Sequence, residues 1–254
     1  TGEDHCVRFN KSPWFWPYEE APTSDRLAAL PESVLTEMGL AKKDPAKSFT
    51  TPLPIESMDV MSYSYSGRDV LARIAEILGN GHAAHWRQQA DAVRIKLKER
   101  LWDEAKHACY DLDKNNRVME ILLHNNLRCM YFGSFDQQMA DAFVRHHLLN
   151  PEEFWTPMPL PSIAANDAAF RNVAGNDWSG QPQGLTFQRS IRALENYGHY
   201  AEVTMIGQKF LQAIGDSMKF TQQFDPFTGK VDQTKDGYGP SILAALEFIS
   251  RLCG

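Results

Sequence analysis

Four stretches of this 254-residue chain hold residue types that could do chemistry together. The first is Thr1-Gly2-Glu3-Asp4-His5-Cys6-Val7-Arg8, an acidic pair followed by His and Arg, with Trp14 and Trp16 soon after. Glycosidic cleavage needs one carboxylic acid to protonate the leaving oxygen and a second carboxylate to activate water or attack carbon. Asp4 suits the acid. Arg8 and the tryptophans suit the holding of a sugar, whose apolar faces stack on aromatic rings. The bland reading is a turn capped by Asp4 and a solvated Arg8. The second stretch runs from Phe154 to Asp167, where Pro157, Pro159 and Pro161 forbid helix and hold the chain extended. Its Asp167 could be a site carboxylate or the start of the next element.

The third stretch is Asn176-Asp177-Trp178-Ser179-Gly180-Gln181-Pro182-Gln183-Gly184-Leu185. Trp178 could be a sugar platform, with the Gln181 and Gln183 amides pairing with hydroxyls. Equally, Asp177 or Ser179 could cap the following helix over a buried Trp. The fourth is Gln222-Gln223-Phe224-Asp225-Pro226-Phe227-Thr228-Gly229-Lys230, followed by Asp236-Gly237-Tyr238-Gly239-Pro240. Asp-Pro and Thr-Gly there predict a tight turn.

The elements between these stretches read as helices. A helix is expected over 24–38, stopped by Gly39. Between 59 and 78 the residues Val70, Leu71, Ile74 and Leu78 share a face expected to be buried, and Gly79 ends the run. Trp86, Ala90, Val93, Leu97 and Leu101 step along a second helix close behind, which makes an antiparallel hairpin. A small β-hairpin is expected around 111–116. Further helices are expected over 123–132, 135–149, 184–197, 199–214 and 240–252, with Val203, Ile206, Phe210 and Ile214 as a buried stripe. Long loops fill 151–182 and 221–239, and loops of that length in a compact domain are normally functional.

Helix pairs alternating with long loops predict an all-α fold, an α/α toroid of helical hairpins of the (α/α)6-barrel type. The helices are too few to close such a ring, so 1–254 is expected to be a single barrel portion with N-terminal helices missing. No fixed-period repeat is present. The net charge is 26 − 32 = −6 and no Lys/Arg block occurs, so nucleic acid is not an expected partner. No apolar run has the length of a membrane span, and no membrane partner is expected. Cys6, Cys109, Cys129 and Cys253 are scattered without a Cys-x-x-Cys pair and are expected to be free thiols rather than zinc ligands.

Taken in order, the four stretches resemble glycoside hydrolase family 63 and its mannosylglycerate-hydrolase-like and trehalase-type relatives. The family's Ser-Gly-Met-Asp-Asn-Ser-Pro-Arg motif is matched at Gly2, Asp4 and Arg8. Ile74-Ala75-Glu76-Ile77-Leu78-Gly79, the 146–167 stretch, Trp178-Ser179-Gly180 and Phe224-Asp225-Pro226-Phe227-Thr228-Gly229 each resemble a further family segment. The resemblance covers nearly the whole chain, and the order of short pieces makes it specific.

The resemblance implies an (α/α)6 barrel, an inverting mechanism and chemistry without metal or cofactor. It makes an exo-acting glycosidase acting on a carbohydrate the expectation, with Asp4 as general acid. It also exposes a departure: where the family has its general-base Glu, this chain has Gln222. An amide has no lone pair basic enough to take a proton from water. Glu195, Asp177 and Asp225 are the carboxylates that could replace it. Trp14, Trp16, Arg8, Trp178, Gln181, Gln183, Gln222 and Asp225 are the expected sugar contacts. The alternative is a relative that binds carbohydrate without cleaving it.

Overall fold

The computed structural model describes residues 56–113, 115–173, 178, 180–231 and 236–253. The expected helix over 24–38 and the loop around Trp14 and Trp16 lie outside them. Helix α1 (Met58–Leu78) starts after the extended Ser57, with Asp59 in its first turn against the positive helix end. It stops at Gly79, whose left-handed conformation (φ 60°) lets the Gly79 and Asn80 amides reach the Glu76 and Ala75 carbonyls. Helix α2 (Ala83–Leu101) returns antiparallel. Arg100 near its end pairs with Glu56 at 2.5 Å, and Arg87 near its start pairs with Glu76 at 2.6 Å.

The buried stripe of α2 is as expected, with Ala90, Leu97 and Leu101 inside. That of α1 is not. Its buried residues are Met58, Asp59, Ser62, Ala72 and Ala75, while Val70, Leu71, Ile74 and Leu78 are exposed. The buried side carries small side chains, and Arg87 of α2 pairs with Asp69 and Glu76, which flank Ala72 and Ala75 in sequence. The larger side chains are left exposed.

Helix α3 (Asn125–Phe132) and α4 (Gln137–Phe143) follow, α4 continuing as one π turn over Val144–Leu148. Asp136 caps α4 by accepting the Met139 amide. Then come α5 (Gly184–Glu195), α6 (Tyr200–Ser217) and α7 (Gly239–Cys253). Side-chain pairs show that α1, α3, α5 and α7 run parallel as neighbours in an arc. Arg128 of α3 meets Asp59 at the start of α1, while Tyr65 packs near Gly133 beyond the end of α3. Thr186 of α5 meets His124 before α3, and Asn196 past the end of α5 donates to the Met130 carbonyl near the end of α3. Gly184 abuts Ser241 at the starts of α5 and α7, and Glu195 pairs with Arg251 at their ends. The described residues therefore form an open arc of an α/α toroid, with α2 and α6 antiparallel on its outside.

Phe210 is the hub of the core. Its ring lies 4.6 Å from Phe187, 5.5 Å from Phe224 and 5.7 Å from Phe248, centroid to centroid. It thereby joins α5, α6, α7 and the loop before α7. At Gly207 a Cβ would stand 2.6 Å from the Phe248 ring, so α6 and α7 can touch there only through glycine.

The two-stranded hairpin sits one step earlier than the sequence suggests. Trp102–Asp103 pairs with Ala108–Cys109, while around 111–116 the described residues form isolated bridges, Leu112 with Val118 and with Glu56. Asp113 spends its carboxylate on the Asn115 and Arg117 amides, which makes a tight turn without strands on either side. Cys109, Cys129 and Cys253 are free thiols.

The π turn presents His147 between two acceptors. Its Nδ1 is 2.7 Å from Glu153 Oε2 and its Nε2 is 2.6 Å from the Lys106 carbonyl. Only the doubly protonated ring can donate to both. Burial works against that charge, but Glu153 and the carbonyl outweigh it and raise the pKa above the ordinary histidine value. A raised folded-state pKa stabilises fully below the unfolded value of about 6.5, and the gain fades as pH climbs through the folded pKa. Glu153→Gln is therefore expected to lower the urea midpoint clearly near pH 6, with the difference from wild type shrinking well above neutrality. An equal loss at all pH values would show that no proton is held there.

Candidate functional site

The parallel arrangement puts the starts of α1, α3, α5 and α7 at one pole. The two long loops arrive at the same pole, because each leads from an outer element to the start of an inner helix. They are stitched together by backbone bonds: the Ser162 amide donates to the Gly180 carbonyl at 2.9 Å, and the Gly184 amide to the Gln222 carbonyl at 2.8 Å. Gln183 and Gln223 form an antiparallel bridge. Gly180 is required where it stands. A Cβ there would come within 1.6 Å of the Arg171 carbonyl oxygen.

Trp178 is half-buried at this pole and held from below. The His124 ring meets it edge-to-face at 5.9 Å, and the Arg128 guanidinium lies 5.9 Å from its centroid. Asp59 fixes Arg128 through a 2.5 Å ion pair, so α1 and α3 together set the tryptophan's seat. Burial first, then the positive charges of Arg128 and Arg189, push the His124 pKa well below its ordinary value, and the ring is neutral at pH 7. Its Nδ1 lies 3.4 Å from Thr186 Oγ1. Arg189 on α5 is half-buried in the same cluster, its pKa lowered by burial and by Arg128. None of Asp59, His124, Arg128 and Arg189 stood out in the sequence. Their common mark is a place at the start of an inner helix, His124 just before its first residue and the others within its first two turns, which is visible once those helices are known to start together.

The two glutamines expected to read hydroxyls turn inward. Gln181 is 2% exposed and gives its amide nitrogen to Asn172 Oδ1 at 2.9 Å, while Gln183 is fully buried and donates to the Gln181 carbonyl at 3.3 Å. They brace the loops rather than face solvent. The Gln183 Oε1 atom has no partner among the described residues. Asn172 in turn donates to Asp225 Oδ2 at 2.7 Å, and the other Asp225 oxygen accepts the Phe227 and Thr228 amides. Burial pushes the Asp225 carboxyl up, but these donors outweigh it and hold its pKa below the usual value. It is an anchored anion that shapes the tight turn, as the Asp-Pro dipeptide predicts. Gln222 is at the same pole, half-buried, with its carbonyl capping Gly184.

Glu195 is not brought to the site. It ends the 12-residue α5, about 18 Å along the helix from Gln183, and is ion-paired with Arg251. Sequence order placed it after the third stretch, but helix length carries it to the opposite pole. Asp4, Arg8, Trp14, Trp16 and Asp177 lie outside the described residues. Among the described residues no group of three or more His, Cys, Asp or Glu side chains could hold a metal, and no helix is long and apolar enough to cross a membrane.

Comparison with known proteins agrees with this architecture. The model of the mannosylglycerate hydrolase MGH1-like glycoside hydrolase domain matches residues 2–239. An uncharacterized protein of Borreliella burgdorferi is 22% identical over 151 residues, which is 58% of this chain and 31% of that protein. The GH63 mannosylglycerate hydrolase of Thermus thermophilus, solved with glucose, superposes with a TM-score of 0.63 at 17% identity. The match covers 86% of this chain and 52% of that one. Neutral trehalase Nth1 from Saccharomyces cerevisiae superposes with a TM-score of 0.69 at 14% identity, over 87% of this chain and 42% of that one. The chain thus spans about half the length, or less, of the relatives it matches.

Proposed function

Because the chain belongs to the mannosylglycerate hydrolase MGH1-like glycoside hydrolase family, we propose that it supplies the loop-bearing pole of an exo-acting, inverting glycosidase. The substrate is a glycoside or oligosaccharide from which one terminal sugar is removed. Asp4 protonates the leaving oxygen and Asp177 takes the proton from the attacking water. Inversion requires their carboxyls roughly 6.5–9.5 Å apart, so that the water fits between. Trp178 is the platform for the sugar's apolar face, with Arg8, Trp14 and Trp16 completing the grip. The observation that carries this reading is the seating of Trp178 at the one pole where the long loops and the inner-helix starts converge. Asp225, anchored by its own turn, is a poor proton acceptor and is left to hold the loop.

A second reading, a sugar-binding protein without turnover, is favoured by Gln222, which stands where the resemblance places the general base. The two part on a direct assay of the whole protein with mannosylglycerate, trehalose and aryl glycosides. Turnover with inversion, read by following the anomer of the released sugar by proton NMR, is the expected result. Sugar binding without turnover on any of them, combined with gain of turnover in Gln222→Glu, would instead establish the binding protein.

A further inference from the structure

On the outer flank of the same pole, between the last two turns of α6 and the Asp225–Lys230 turn, lies a cleft of about 600 Å³. Its apolar floor comes from Pro157, Ala213 and Val231. Its walls carry two ammonium groups, Lys209 and Lys230, and the hydrogen-bonding side chains of Gln212, Asp216, Ser217 and Thr228. The candidate active site uses none of these side chains.

Three features go beyond a surface dent. Lys209 is fixed, not waving: its Nζ sits 5.2 Å from the Trp155 ring centroid and at long range from two carbonyls, 3.4 Å from Thr156 and 3.3 Å from Pro157. Burial lowers its pKa, while Lys230 across the cleft is exposed. The one acid on the wall, Asp216, has an oxygen engaged by the Gln212 amide at 2.7 Å, which orients both groups for contact with hydroxyls. The turn that forms the far wall is itself rigid, because Asp225 anchors it from behind. Two cations against the one carboxylate of Asp216 leave the described lining with a net positive charge, which an anion would balance. An apolar floor beneath hydroxyl-reading groups suits one face of a sugar ring.

We propose that this cleft is a second ligand site, taking a sugar that bears a carboxylate or phosphate group. The anionic group lies between Lys209 and Lys230, the ring rests on Pro157, and hydroxyls meet the Gln212–Asp216 pair. This assignment does not depend on the glycosidase reading.

Calorimetric titration of the whole protein with glucuronate, glucose 6-phosphate and glucose tests it. In a Trp178→Ala background, which removes the sugar platform of the other site, glucuronate or glucose 6-phosphate is expected to bind, and glucose at least about 10-fold more weakly. Lys209→Met, which keeps the aliphatic stem over Trp155, and Lys230→Ala should each weaken the anionic sugar by about 10-fold without moving the thermal midpoint. A preference between the two anionic probes would tell carboxylate from phosphate. Absence of binding by both, equal binding of glucose, or affinity indifferent to both lysine substitutions would overturn the proposal.

Discussion

Asp4→Asn is expected to abolish hydrolysis of glycosides with poor leaving groups while leaving the fold intact. The amide keeps the shape of the carboxyl but cannot deliver a proton to the glycosidic oxygen. Loss of general acid catalysis costs on the order of 10²–10⁴ in rate. The loss should depend on the leaving group. Glycosyl fluorides and dinitrophenyl glycosides depart with little protonation and should keep most of their turnover, whereas disaccharides should lose nearly all of theirs. An unchanged thermal midpoint would separate this from unfolding. A uniform loss across all leaving groups would take Asp4 out of the acid role, and full activity would take it out of the site.

Phe210→Ala should produce the largest stability loss of any single truncation in the described core. The ring is fully buried and touches Phe187, Phe224 and Phe248. Removing a buried Phe side chain costs about 3–5 kcal/mol, part lost transfer energy and part cavity. In a chain of this size that lowers the thermal midpoint by roughly 10 °C. The effect reaches the pole, because Phe224 stands next to Asp225 and the cluster backs the loop that bridges Gln183 to Gln223. Phe210→Leu, which fills much of the volume, should recover more than half of the loss. A shift of only a degree or two in Phe210→Ala would mean that α5, α6 and α7 are not held through this hub.

Local signals in the sequence were sufficient wherever a helix is defined by its own ends. Gly79 stops α1, Asp225-Pro226 makes its turn, and α5 begins where the Pro182–Gly184 break predicts. They fell short where the outcome depends on a partner distant in sequence. The apolar period of α1 fixes how wide its greasy side is but not which side meets α2. The alanines at 72 and 75 are buried and Ile74 is left exposed. Gln181 and Gln183 were recognisable as amides, yet their direction is set by Asn172 and by the loop crossing at Gly180. The seat of Trp178 was illegible for the same reason. Asp59, His124 and Arg128 come from α1 and from the start of α3, and only the parallel packing of those helices gathers them.

Position decides whether this pole cuts sugar. A crystal structure of the protein soaked with glucose would show it most directly. The expected result is a pyranose stacked on Trp178 with the Asp4 carboxyl within about 3 Å of the oxygen on its anomeric carbon. Glucose bound away from Trp178, or the Thr1–Arg8 segment packed at the opposite pole beside Glu195, would contradict it.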